Sequence, residues 1–225
     1  MIKLIWATTF DYLFYGLPTF FHSQIFRKDS PSFISKNPRE ESIVLIPGIL
    51  QRWNIFRHLI PILNINNYSV WTVKDLKRNI MSIEETAKLV TQTINENNLL
   101  NVVLIGHSKG GLVGKYVLDY LNTDGRVKKV IAIGVPFHGT KMAYKFFSKG
   151  YKELRPNSEI VSELFTQKNF NGKITSIYTE FDGTIVPSNS AVLEGAKNIK
   201  VNIWGHQRML FNKVTEEIIL NELVN

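Results

Sequence analysis

The chain has 225 residues, 44% of them hydrophobic and 20% charged, which allows one large core and excludes global disorder. It has no cysteine, which removes disulfides, cysteine-held metals, iron–sulfur clusters and a thiol nucleophile together. Lysine and arginine outnumber acids 27 to 19, a net charge of +8, yet the densest groupings (Lys74/Lys77/Arg78 and Arg126/Lys128/Lys129) hold no interleaved aromatics, so the charge reads as a solvated surface with no nucleic-acid partner.

Residues 1–40 read as an aromatic-rich leader carrying Trp6, Phe10, Tyr12, Phe14, Tyr15, Phe20 and Phe21. Lys3 and Asp11 interrupt it, so no run of about 18 apolar residues forms a spanning helix, and Gly16-Leu17-Pro18 is a poor signal-cleavage site. Such a segment either meets a membrane surface or packs across the fold, which favours a cytoplasmic or peripherally membrane-associated protein. Pro31 and Pro38 mark the loop that ends it, and residues 41–225 form a single domain.

Within that domain, Ser42–Ile46 is almost purely apolar and ends at Pro47-Gly48, the pattern of a strand buried on both faces. Trp53–Leu63 has helical spacing, and Tyr68–Val73 alternates as a strand. Ser82-Ile-Glu-Glu85 is a capping box opening a helix with Ile83, Ala87, Val90 and Ile94 inward. Asn101–Ile105 is a strand, Gly111–Leu121 a helix, and Lys129–Val135, Lys173–Tyr178 and Asn198–Trp204 are strands, before a final helix from about Met209 to Leu223. This alternation predicts an α/β fold with a mostly parallel sheet of about six strands and helices on both faces. One stretch, about 136–172, is largely irregular apart from a helix at Ser158–Gln167, and its length marks a small lid.

Gly106-His-Ser-Lys-Gly110 follows a strand and opens a helix. A sharp strand-to-helix turn strains its central residue, and the small neighbours Gly106 and Gly110 relieve the crowding, so Ser108 projects its hydroxyl from the sheet edge. A serine nucleophile needs an imidazole base and a carboxylate to orient it, in the order Ser, acid, His for this architecture. Of the histidines, His22 and His58 precede Ser108, His107 adjoins it, and His138 precedes the acid at Asp182, which leaves His206. Glu180 is the fallback acid. The backbone N–H groups of Lys109 and Ile49, or of Leu50 in second place, are the candidate oxyanion donors.

These residues resemble the α/β-hydrolase superfamily, in its bacterial lipase and esterase-like branch, over Ile43 to about Phe211. Pro47-Gly48, Gly134-Val-Pro-Phe-His-Gly-Thr140 and Asp182-Gly-Thr-Ile-Val-Pro187 are similar to that branch's oxyanion, proline and acid loops. The resemblance implies a covalent acyl-enzyme, no cofactor, and ester substrates whose acyl chains lie under a lid. The apolar, aromatic stretch Met142–Phe147 and the aromatic N-terminus point to lipid-like acyl esters, and no metal site is expected. Three features depart from that branch's pattern. Pro47 stands where relatives carry histidine, Phe137 and His138 shift the proline-loop histidine by one place, and Lys109 puts a charge after the nucleophile. Some relatives hold calcium through aspartates near the catalytic histidine, and no aspartate follows Asp182 here. The leading expectation is therefore a carboxylic ester hydrolase. The alternatives are an acyltransferase or thioesterase using the same residues, or a binding protein without catalysis.

Overall fold

The computed structural model of the chain describes residues 11, 13, 31–76 and 78–224, so the leader aromatics Trp6 to Phe21 lie outside the described residues. In chain order come β1 (Ser32–Phe33), β2 (Ser42–Ile46), α1 (Leu59–Ile65), β3 (Ser69–Thr72), α2 (Ile83–Glu96), β4 (Val102–His107) and α3 (Lys109–Tyr116). There follow β5 (Val127–Ile133), α4 (Lys149–Lys152), α5 (Glu159–Thr166), β6 (Ile174–Tyr178), β7 (Lys197–Lys200) and α6 (Lys213–Val224). The strands form a seven-stranded sheet in the order β1-β3-β2-β4-β5-β6-β7. Every pairing is parallel except β1 with β3. The extra strand beyond six is β1, whose two residues are too few to display an alternating pattern.

Pleating sends alternate residues of β2 to opposite faces. Val44 and Ile46 join Val90, Ile94, Leu112 and Val113 of α2 and α3 in one core layer. Ile43 and Leu45 join Leu59, Leu63, Ile219 and Leu223 of α1 and α6 in the other. Burial on both sides is why these strands read as continuous apolar runs. Ser82 caps α2 as expected: its hydroxyl accepts from Glu85 N at 3.1 Å while Glu85 Oε2 accepts from Ser82 N at 2.8 Å. The helix expected over Gly111–Leu121 is α-helical only to Tyr116 and continues as a π-helix over Val117–Leu121.

The chain runs from β2 to β3 on one side and then crosses back to β4 on the other, so the sheet switches direction between β2 and β4. In open parallel sheets the crevice for a ligand forms at such a switch, beyond the carboxyl ends of the strands. The loop of Gly48 and the turn at Ser108 leave β2 and β4 there. Residues 136–172 are less irregular than their composition suggests. They hold a 3-10 turn at Lys141–Lys145 and a turn of helix at Lys149–Lys152 besides α5.

Candidate active site

Ser108 sits between the last residue of β4 and the first of α3, with φ 52° and ψ −122°. Positive φ is strained for a side chain with a Cβ, so the surroundings must impose it. Ser108 N donates to Ile133 O of β5 at 2.9 Å, and Gly111 N donates to Ser108 O at 3.0 Å. The flanking glycines are required by space. A Cβ on Gly106 would lie 2.5 Å from the Gly110 carbonyl, and one on Gly110 would lie 2.0 Å from Ile46 O.

Asp182 and His206, on the loops after β6 and β7, meet in the interior: His206 Nδ1 lies 2.7 Å from Asp182 Oδ2, and both side chains are buried. Asp182 Oδ1 accepts from Thr184 N at 2.8 Å and Ile185 N at 2.9 Å, which fixes the carboxylate plane. Burial opposes charge on His206, but the charge and hydrogen bond of Asp182, with the charge of Asp11, outweigh it and raise its pKa above the ordinary value. Gly134, at φ +56°, lets the imidazole approach; a Cβ there would sit 3.2 Å from His206 Cε1 and Nδ1.

Glu180 and His138 have other partners, while His107 lies beside His206. Glu180 is exposed and pairs with Lys200 at 3.0 Å. His138 Nε2 contacts Val192 O at 3.0 Å. The His107 ring lies 4.6 Å from the His206 ring, and burial, with the His206 charge, holds its pKa well below the ordinary value, so it stays neutral.

The loop after β2 is organised by Gln51. Gln51 Oε1 accepts from Gly48 N at 2.8 Å and lies 2.9 Å from His107 Nδ1, which assigns the ring proton to that nitrogen. Gln51 Nε2 donates to Gln207 Oε1 at 2.9 Å, so one side chain ties the loop of Ile49 to the elbow and to the His206 loop. Leu50 takes φ 61° in the same turn.

Lys109, next after Ser108, is fully buried. Its ammonium donates to Asn79 O and Asn79 Oδ1, each at 3.0 Å, and to Met81 O. Burial pulls its pKa down to about 8. α4 docks against this corner, where a Cβ on its Gly150 would lie 2.8 Å from Ile80 O and 3.1 Å from Ile49 Cδ1. Among the described residues, no group of three or more His, Asp or Glu could hold a metal ion.

Two residues near the site escaped the sequence reading. Gln51 carries no signal beyond its nearness to Pro47-Gly48. Asp11 carries one: an acid inside an aromatic stretch. Its carboxylate is buried against the backbone of residues 206–208.

The PGAP1-like alpha/beta domain matches this chain over residues 64–207. A Mycoplasma pneumoniae protein named "Putative esterase/lipase 3" is 26% identical over 144 residues, 60% of this chain and 51% of its own. Aspergillus fumigatus lipase B superposes with a TM-score of 0.74 at 19% identity, covering 86% of this chain and 56% of that one. The mature Bacillus licheniformis lipase BlEst2 gives 0.73 at 15% identity, covering 86% of this chain and 97% of that one. A Paleococcus ferrophilus monoacylglycerol lipase gives 0.66 at 14% identity, covering 87% of this chain and 99% of that one. This chain thus spans about half the length of the Mycoplasma relative and of lipase B. The structural likenesses establish the fold.

Proposed function

The chain belongs to the PGAP1-like alpha/beta domain family, within the α/β-hydrolase superfamily, and on that premise we propose that it is a serine hydrolase of carboxylic esters using Ser108, Asp182 and His206. The observation that carries this reading is the buried 2.7 Å contact of His206 Nδ1 with Asp182 Oδ2, in a fold that holds Ser108 at φ 52°.

Ser108 Oγ attacks the ester carbonyl carbon while its proton passes to His206 Nε2. Asp182 holds Nδ1–H, which keeps the imidazole in the tautomer able to accept that proton and stabilises the imidazolium. The tetrahedral oxyanion accepts from the N–H groups of Ile49 and Lys109, each such donor contributing about 10²–10³ in kcat. Collapse of the intermediate expels the alcohol, which takes the proton from Nε2 and leaves the acyl group on Ser108. A water then gives a proton to Nε2 as its oxygen attacks the acyl carbon, and Ser108 recovers its proton when the acid departs.

Lipid-like acyl esters suit the surroundings best. Phe147 is 81% exposed, and Tyr144 and Phe146 ahead of α4, Ile80 in the β3–α2 connection and Leu50 beside Ile49 are exposed as well. Phe146 stacks on Tyr151 of α4 with 4.1 Å between ring centroids, so the lid presents an apolar surface. Two of the structural neighbours are named as lipases, and a third as a monoacylglycerol lipase.

Turnover of a p-nitrophenyl ester series by wild type and Ser108→Ala tests the reading. The expected result is activity that rises with acyl length and disappears in the variant. Absence of Ser108-dependent turnover at every chain length overturns it.

A further inference from the structure

Three consecutive backbone amides of the loop that carries His206 point at one carboxylate. Asp11 Oδ2 accepts from His206 N and Gln207 N, each at 3.0 Å, and Asp11 Oδ1 accepts from Arg208 N at 2.9 Å. Asp11 is 5% exposed. Gly205, at φ +110°, opens the space for it; a Cβ there would lie 2.4 Å from Asp11 Oδ1. Among the described residues the loop is also tied by Gly205 N donating to Phe181 O at 3.0 Å, Thr179 Oγ1 donating to Ile203 O at 2.6 Å, Trp204 stacked on Phe181, Leu210 N donating to Gln207 O at 3.0 Å, and Gln207 meeting Gln51. Asp11 therefore satisfies every amide from His206 to Arg208, and the first of them, at buried His206, would be costly to leave without a partner.

We propose that Asp11 is a positioning residue for the candidate site: its carboxylate clamps the His206 loop and adds a second negative charge behind the imidazole. This inference rests on the reading of His206 as the base. Among the described residues, three charged or titratable groups face the His206 ring: Asp182 at Nδ1, Asp11 beneath the loop, and His107, which is neutral. Asp11 itself faces His206 and Asp182 besides the three amides. Removing its charge takes away one of the two anions that favour imidazolium, while leaving the Asp182 contact in place. A residue that only fastens the fold would lower stability without moving the titration of His206.

The test compares the full chain with Asp11→Asn. Asparagine keeps one acceptor oxygen but loses the charge, and its NH₂ group faces an N–H. The His206 titration, followed by imidazole NMR and assigned with His206→Gln, should move down by about half a unit or more. On p-nitrophenyl esters kcat should fall about tenfold with KM within about twofold, the pattern of a misplaced catalytic group. An unmoved titration accompanied only by a lower Tm overturns the proposal. Amide exchange in the wild type needs no variant: slow exchange at His206, Gln207 and Arg208 supports the clamp, and exchange at the rate of an open loop refutes it. Both NMR readouts are independent of substrate. A wild type without Ser108-dependent turnover therefore defeats the esterase reading separately from the clamp.

Discussion

Gly110→Ala tests whether the elbow and the loop after β2 are built against each other. The added Cβ would lie 2.0 Å from Ile46 O, 2.8 Å from Ile46 C and 2.9 Å from Pro47 O, where ordinary contact begins at 3.4 Å. The worst contact is thus short by about 1.4 Å, and all three atoms are backbone, so no rotamer change relieves it. The end of β2 must move away from the start of α3, although Ile46 is paired in register with Gly106. Overpacking of this kind costs about 3 kcal/mol, near the top of the usual range. For a domain of this size that lowers Tm by about 6–12 °C. The displacement also separates Lys109 N from Ile49 N, and about 1 Å of misplacement at a catalytic group costs on the order of 10² in kcat. Gly172→Ala is the control, because its Cβ meets only Gly195 O at 3.9 Å and its φ is not left-handed; its stability should stay within about 0.5 kcal/mol of wild type. Thermal unfolding and ester turnover, measured on both variants, decide the matter. A Gly110→Ala protein matching Gly172→Ala in Tm and kcat would refute the reasoning.

On the proposed mechanism protonated His206 cannot accept the Ser108 proton, so activity should fall as pH drops through its raised pKa. The acid limb of kcat/KM should therefore lie above about 6.5, the ordinary histidine value, and a limb at or below it would contradict the coupling to Asp182. Asp182→Asn should lower kcat by about 10³–10⁴ through loss of the productive tautomer, read in the same assay. Lys109 has a folded pKa of about 8, well under the ordinary lysine value of about 10.4, so between those values the unfolded chain binds more protons. Its contribution to stability is smallest below about pH 8 and rises with pH until about 10.4. Relative to Lys109→Met, whose stem is apolar and uncharged, the wild-type Tm should climb across that window. A flat difference would show that the buried ammonium is not depressed.

What was legible in the chain was local. The capping box at Ser82 and Glu85 needs only four residues, and the elbow is a five-residue turn whose glycines are forced by contacts within it and with the adjoining strand. The pairing of Asp182 with His206 was legible by order, since only one histidine follows that acid. Strand ends were less so. The last strand was expected to run to Trp204, yet its ladder stops at Lys200. Beyond it, Val201 N donates to Tyr178 O at 2.8 Å and Ile203 O takes a side-chain hydroxyl, as the chain turns to present His206.

Two charges show why the rest was hidden. Lys109 looked like a departure, a cation following a nucleophile. Its burial is made tolerable by Asn79 and Met81 of the β3–α2 connection, about 30 residues earlier in the chain. Asp11 looked like an interruption in an aromatic segment, and its three partners lie nearly at the opposite end of the sequence. A buried charge is stable only with partners supplied by the fold, so a charge in an apolar or small-residue setting predicts that such partners exist without saying where. In this chain both misfit charges lead to the two sides of Ser108: Lys109 braces the β3–α2 connection, and Asp11 braces the loop of His206. Local pattern built the turn at Ser108, and long-range electrostatics holds the chain around it.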